Sequence, residues 1–221
     1  MLQKNVVTKK TYNVLKTLMN DKYLNDFNLV GGTSLALRIG HRQSVDLDLF
    51  TRKDFDAETL KKYLIDNYGF EVKFQEKNTL KGFINDVFID CIKYDYDNLH
   101  DVETIDGIRM LSIEDVIAMK LVAIYQDGTR IKDFIDIAYL SDHYSLNEMI
   151  EFCNKKTNCD NSFSIMKGIM YFDNIDYTEK VKVFDEEYSF EKIKKHLIKM
   201  SDNPDKIIKY DSKEVLKTRK K

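Results

Sequence analysis

Apolar and polar positions along the chain follow two different periods, and the switch between them divides it. Residues 12–20 put Val14, Leu15 and Leu18 on one side at helical spacing. The short apolar run FNLV at 27–30 stops at Gly31-Gly32. Thr33 is placed to cap a short helix carrying Leu35, Ala36, Leu37 and Ile39, which Gly40 would end. Residues 44–50 alternate strictly. That spacing predicts a strand with Val45, Leu47 and Leu49 on its buried face and Ser44, Asp46, Asp48 and Phe50 on the other. An amphipathic helix over 57–67 (Leu60, Leu64, Ile65) closes at Gly69. Strands follow over 70–74, 79–84 and 87–94, and Asn85-Asp86 suits a two-residue hairpin between the last two. From residue 112 the period is helical, over 112–126, 131–142, 147–156, 162–172 and 188–200. A strand-rich half followed by a helical half predicts an α+β fold of two lobes, 1–105 and 106–221, with the boundary near 100–111.

Composition narrows the class. The 221 residues are 43% hydrophobic and 33% charged, a balance that supports a real core. No apolar run approaches the roughly 20 residues needed to cross a bilayer, and MLQKNVVTKK lacks the apolar segment of a secretory signal. Three cysteines without a CxxC pair argue for a reducing, cytoplasmic setting and against a zinc knuckle. The net charge of −2 excludes a polycation, but charge is uneven: residues 191–221 hold 11 Lys/Arg against 5 Asp/Glu. That stretch reads either as a solvated tail or as a nucleic-acid contact.

The stretch GGTSLALRIGHRQSVDLDLF at 31–50 carries the candidate chemistry. Asp46 and Asp48 share a strand face about 6.5–7 Å apart along the backbone, from the strand rise. They could converge on divalent ions, or simply form a wet polar face. Asp90 sits within the apolar run VFIDCI at 87–92, where a charge needs a partner. Three such acids with Mg²⁺ or Mn²⁺ make the usual two-metal site for phosphoryl or nucleotidyl transfer. Gly31, Gly32, Thr33 and Ser34 offer backbone N–H groups that could hold phosphate oxygens. Arg42 could neutralise phosphate, and His41 could equally pack or cap. Ser44 could contact a phosphate, accept the transferred group, or be merely solvated. Further on, Lys120 falls in the middle of the apolar stripe Ile113, Val116, Ile117, Leu121 and Ile124, behind a capping-box variant at Ser112–Asp115. It either snorkels or is there for a reason. Asp133 and Asp136 share a helix face beside Arg130 and Lys132, as surface ion pairs also would.

VGG at 30–32, then thirteen residues, then DLDL resembles the signature of the DNA polymerase beta-like nucleotidyltransferase superfamily. The longer string resembles the AbiEii/AbiGii-type nucleotidyltransferase toxins of bacterial abortive-infection, type IV toxin–antitoxin systems. SIEDVIAMK at 112–120, KDFID at 132–136 and KGIMYFD at 167–173 are similar to that family's later motifs, so the resemblance spans about 28–173. It implies a polymerase beta-like core, a mixed sheet flanked by helices, followed by a helical lobe. It also implies an Mg²⁺-dependent enzyme of phage defence, with Asp46 and Asp48 on the metals. Asp90 would bind one metal and help deprotonate the acceptor, and Lys120 with Gly31-Gly32 would grip the nucleoside triphosphate. Asp133, or else Asp136, would be a further active-site acid. The implied acceptor is RNA, at the 3′ end of tRNA, and the implied genetic partner is an AbiEi-like antitoxin. A nucleotide-binding regulator without turnover, or a transferase acting on a small molecule or protein, stays open at this level.

Overall fold

The computed structural model describes residues 1–210; the stretch 211–221, with the last five basic residues of the tail, lies outside them. The chain divides into two compact units, Met1–Val116 and Ile117–Lys221.

The first unit is built on a seven-stranded mixed sheet. Helix α1 (Lys9–Asn20) is capped by the Thr8 side chain, which accepts from the Thr11 N–H. Strand β1 (Asn28–Leu29) runs directly into α2 (Gly31–Ile39). Gly31 has φ +67°, which lets the chain turn from strand to helix without an intervening loop. The helix therefore starts three residues earlier than the Thr33 cap predicts, with Val30 at the cap position. Thr33 lies inside it, donating to the Asp46 carbonyl oxygen and standing 2.8 Å from the Ser44 hydroxyl. Gly40 closes the helix with φ +73°.

Strand β2 (Leu47–Thr51) also departs from expectation at one end. Leu47 and Leu49 are buried as the alternation requires, but Val45 is 46% exposed. Residues 44–46 are not strand, because the Ser44 N–H is taken by the Val6 carbonyl instead of a sheet neighbour. Helix α3 (Ala57–Tyr68) is followed by β3 (Glu71–Glu76), β4 (Thr79–Ile84) and β5 (Val87–Lys93). The turn between β4 and β5 has positive φ at both Asn85 and Asp86, as a two-residue hairpin needs.

A further hairpin, β6 (Glu103–Ile105) and β7 (Ile108–Met110), turns at Asp106-Gly107. It was not expected: strands of three residues are too short to show a period. The sheet order is β3-β4-β5-β2-β1-β7-β6, with β2/β5 and β1/β7 parallel. Arg109 on β7 ties the short edge down, donating to the carbonyls of Met19 (2.6 Å), Leu24 (3.0 Å) and Phe27 (3.3 Å).

Helix α4 (Ile113–Gln126) starts in the first unit. Its N-terminal turn is held by Asp115, whose N–H donates to Ser112 Oγ (3.0 Å) and whose carboxylate accepts from Ser112 and the Leu99 N–H. The second unit continues with α5 (Ile131–Leu140), α6 (Leu146–Thr157), α7 (Ser162–Ile169) and α8 (Phe190–Asp202), α5 packing on α8. Ser145 and Glu148 form a reciprocal capping box at α6. The architecture is the expected α+β type. No helix among the described residues is long and apolar enough to cross a membrane.

Arg109 gives a test of how the sheet edge is held. Replacing it with Met leaves three backbone carbonyls without a charged donor. Charge-assisted hydrogen bonds contribute about 1.5–3 kcal/mol each at best, so chemical denaturation of R109M is expected to show a loss of roughly 2 kcal/mol or more. An unchanged midpoint would mean that water replaces the guanidinium at no cost.

Candidate active site

Register across the sheet creates the first constellation. Asp48 pairs with Asp90 across the parallel β2/β5 ladder, and Lys81 pairs with Asp90 across β4/β5. The Val30 N–H donates to the Asp48 carbonyl at 2.9 Å. Lys81, Asp90 and Asp48 thus form one row over β4, β5 and β2, continued by Val30 just past β1, and Gly31 opens α2 at its end. Paired positions on neighbouring strands project to the same face. Two acids and one lysine therefore stand side by side at the helix N-terminus.

Each member has an identifiable neighbour. The Asp90 carboxylate is largely buried and accepts from Lys81 Nζ at 2.7 Å through Oδ2, while its buried Oδ1 has no hydrogen-bond partner. Burial raises the Asp90 carboxyl above its ordinary value, the Lys81 hydrogen bond and charge pull it back, and the charge of Asp46 pushes it up again. Asp46 precedes β2 yet is near enough for that effect. The Asp48 carboxylate lies against Gly31, where a Cβ would collide with Oδ2. A carboxylate there faces the positive end of α2. The Arg42 guanidinium lies against Gly32 in the same way, is 1% exposed, and donates to the Gln43 carbonyl at 3.1 Å. The two glycines are thus needed for close approach: one admits an acid, the other a guanidinium.

The remaining expected residues are placed as follows. Thr33 and Ser34 are buried in α2, and Ser44 is buried against Thr33 rather than standing in solvent. His41 is buried as well. Lys81 had no signal in the hydrophobic pattern. Counting outward from the Asn85-Asp86 turn, however, pairs 84 with 87, 83 with 88, 82 with 89 and 81 with 90, and so finds it.

Among the described residues, no three His, Cys, Asp or Glu side chains are gathered into a ready metal centre. The physical reason lies in the row itself: like-charged carboxylates move apart unless a cation holds them, and here Asp48 rests on the helix start while Asp90 takes Lys81. The donor set nonetheless fits a divalent cation. It is all oxygen, it includes a buried carboxylate oxygen with no partner, and Asp46 and Asp90 already interact unfavourably.

The second constellation lies wholly in the other unit. Lys120 is 6% exposed and does not snorkel. Its ammonium donates to Asp133 Oδ1 at 2.6 Å and pairs with Asp136 Oδ2 at 2.9 Å. Arg130 reaches the other Asp133 oxygen through Nε at 2.9 Å. Asp136 is fully buried. Asp133 and Asp136 are therefore not surface ion pairs. They are the partners that make a lysine on an apolar stripe tolerable.

A model of the nucleotidyl transferase AbiEii toxin family, type IV toxin–antitoxin system, matches residues 13–206. The chain belongs to the AbiEii family. It is a nucleotidyltransferase of the toxin class, with a nucleoside triphosphate as donor and an antitoxin as the partner its family implies. An uncharacterized protein of Aquifex aeolicus is 32% identical over 173 residues, covering 75% of this chain and 83% of its own. Two solved structures share the fold. JHP933 from Helicobacter pylori aligns with TM-score 0.53 at 18% identity, over 89% of this chain and 92% of that one. MenT4, a nucleotidyltransferase toxin from Mycobacterium tuberculosis, aligns with TM-score 0.52 at 13% identity, over 88% and 84%.

The Lys120 cluster yields a sharp expectation. In K120M, two buried carboxylates lose their shared ammonium, and breaking a buried pair costs about 3–5 kcal/mol. The variant is expected to melt well below the wild type, and K120M combined with D133N and D136N to recover much of the loss. A K120M protein of unchanged stability would show that Lys120 is not what balances these acids.

Proposed function

We propose that this toxin is a divalent-cation-dependent enzyme, with Mg²⁺ as the physiological ion, that transfers a nucleotide from a nucleoside triphosphate to the 3′ end of an RNA, tRNA being the substrate class. The observation that carries this reading is the row Lys81–Asp90–Asp48 with Asp46 beside it and an unpartnered buried oxygen on Asp90. Acids gathered at such cost are the donor set that a hard divalent cation takes.

Asp46, Asp48 and Asp90 would hold the metal, which supplies charge neutralisation on the phosphates and lowers the pKa of a bound hydroxyl. The chain's own groups do the rest. Gly31 and Gly32 open α2, whose first backbone N–H groups are donors that a phosphate can use, while the space beside the two glycines is taken by Asp48 and Arg42. Arg42, fixed against Gly32, sets positive charge at the same helix start. The acceptor hydroxyl oxygen forms a bond to the α-phosphorus, and the bond from that phosphorus to the bridging oxygen breaks. Pyrophosphate leaves with the electron pair, and the hydroxyl proton passes to Asp90. Lys81 holds the Asp90 carboxylate in place through Oδ2, leaving Oδ1 as the oxygen that would face both the cation and the acceptor hydroxyl.

The RNA reading draws on the family resemblance and on local charge. Residues 191–221 hold 11 Lys/Arg against 5 Asp/Glu, although 211–221 lie outside the described residues. Lys120 is proposed to add to nucleotide affinity as a fixed cation. Binding of nucleoside triphosphate to a folded K120R protein, measured calorimetrically, tests that role apart from stability.

Labelled nucleoside triphosphates incubated with the protein, Mg²⁺ and total RNA are expected to label a small RNA at its 3′ end, with no label in excess EDTA. Label on a metabolite or protein instead would overturn the acceptor class but leave the chemistry. D46N and D48N are expected to lower transfer by about 10²–10³-fold, the scale of losing a principal electrostatic group. Their melting temperature without metal should hold or rise, because one member of a like-charged set has gone. Unfolding of either variant would make the acids structural.

A further inference from the structure

The second unit contains a cleft that the chemistry above does not use. It has a volume of about 550 Å³, within the roughly 300–1,000 Å³ span of small-ligand sites. Three aromatic residues line it: Tyr125 at the end of α4, Phe163 in the first turn of α7, and Tyr171 just beyond α7. Gln126, Ser164 and Asn174 supply neutral hydrogen-bonding groups, and Lys167 with Asp127 are its charged residues.

The arrangement is built rather than incidental. Phe163 and Lys167 are one helical turn apart and share a face. Gly168 lets α7 approach α4 closely: a Cβ there would stand 3.1 Å from Tyr125 Cα and 3.4 Å from its Cβ. Phe163 is 82% exposed and Tyr171 46%, two exposed rings lining one cleft with polar neighbours. Large apolar groups left exposed together at a cleft mark a binding surface.

We infer that this cleft stacks an unpaired base of the RNA acceptor and holds that nucleotide's phosphodiester at Lys167. The inference rests on the RNA reading proposed above. Exposed rings next to a cation are the stacking platform that proteins use for single strands, since every base has a π-face. Charge selects the strand over the free nucleotide. A nucleoside triphosphate brings several negative charges, whereas the lining offers one lysine against one aspartate. A phosphodiester with its single charge matches that lysine.

The test uses the full chain and three probes: a short fluorescent single-stranded RNA, the same strand annealed to its complement, and a nucleoside triphosphate with Mg²⁺. Single-stranded RNA is expected to bind more tightly than the duplex. F163A combined with Y171A should weaken single-strand binding about ten-fold or more, from the stacking lost, while triphosphate binding and thermal melting are unchanged. K167Q should weaken it by less and flatten its salt dependence. In transfer to RNA, the loss should fall on KM and not on kcat. Unaltered single-strand binding in F163A/Y171A, with the wild type still binding and modifying RNA, overturns the cleft assignment alone. A fall in triphosphate affinity instead assigns the cleft to the donor and also overturns it. Loss of antitoxin binding with RNA binding intact would make it a protein dock, contrary to the inference. A wild type that neither binds nor modifies RNA removes the RNA reading and this inference with it.

Discussion

Parallel pairing of β2 with β5 puts Asp48 level with Asp90, and much of the first unit can be understood as a response to that contact. Neighbouring strands lie about 4.8 Å apart. Two carboxylates held at that spacing would repel by about 3 kcal/mol at an effective dielectric near 20, whereas the acid whose charge acts on Asp90 here is Asp46. The fold relieves this in two directions. Lys81 takes Asp90 from the β4 side, and the N-terminus of α2 takes Asp48 from the β1 side. Gly31 is what makes the second relief available, because a side chain there would occupy the place of the Asp48 carboxylate.

The second unit meets a related difficulty differently. Lys120, Asp133 and Asp136 are all buried, and their charges are answered within the cluster, with Arg130 sharing Asp133. Such a cluster adds little net stability over a hydrophobic equivalent but is costly to break. It fixes where α4 and α5 meet in register. In the first unit the compensation is incomplete: one Asp90 oxygen is left over. The two units differ in compensation: the Lys120 charges are paired with one another, whereas Asp90 keeps one oxygen without a hydrogen-bond partner.

Much of this was legible in the chain because the relevant patterns are local. The Asn85-Asp86 turn, the Gly40 and Gly69 helix ends and the Leu47/Leu49 alternation all depend on a few consecutive residues. The acids of the site were legible too, since a carboxylate inside an apolar run stands out wherever it folds. The errors came where a distant group intervened. Val6 takes the Ser44 N–H, and β2 starts late, at Leu47; the early start of α2 is instead local, set by the positive φ of Gly31. The β6/β7 hairpin went unseen because three residues per strand carry no period, and it is tied down by Arg109 reaching back to α1 and to the segment before β1.

The sequence by itself determined the α+β class, the order of the longer elements, the family and the identity of the awkward charges, because periodicity and motif spacing are properties of neighbouring residues. Only the tertiary structure decided the partners of those charges. Lys81 comes to Asp90 through a hairpin, Asp48 through a parallel ladder that joins residues over forty positions apart, and Asp133 and Asp136 come to Lys120 through the packing of one helix on the next. A charge is chosen locally, but its energy depends on what surrounds it, and those surroundings form only when distant segments meet.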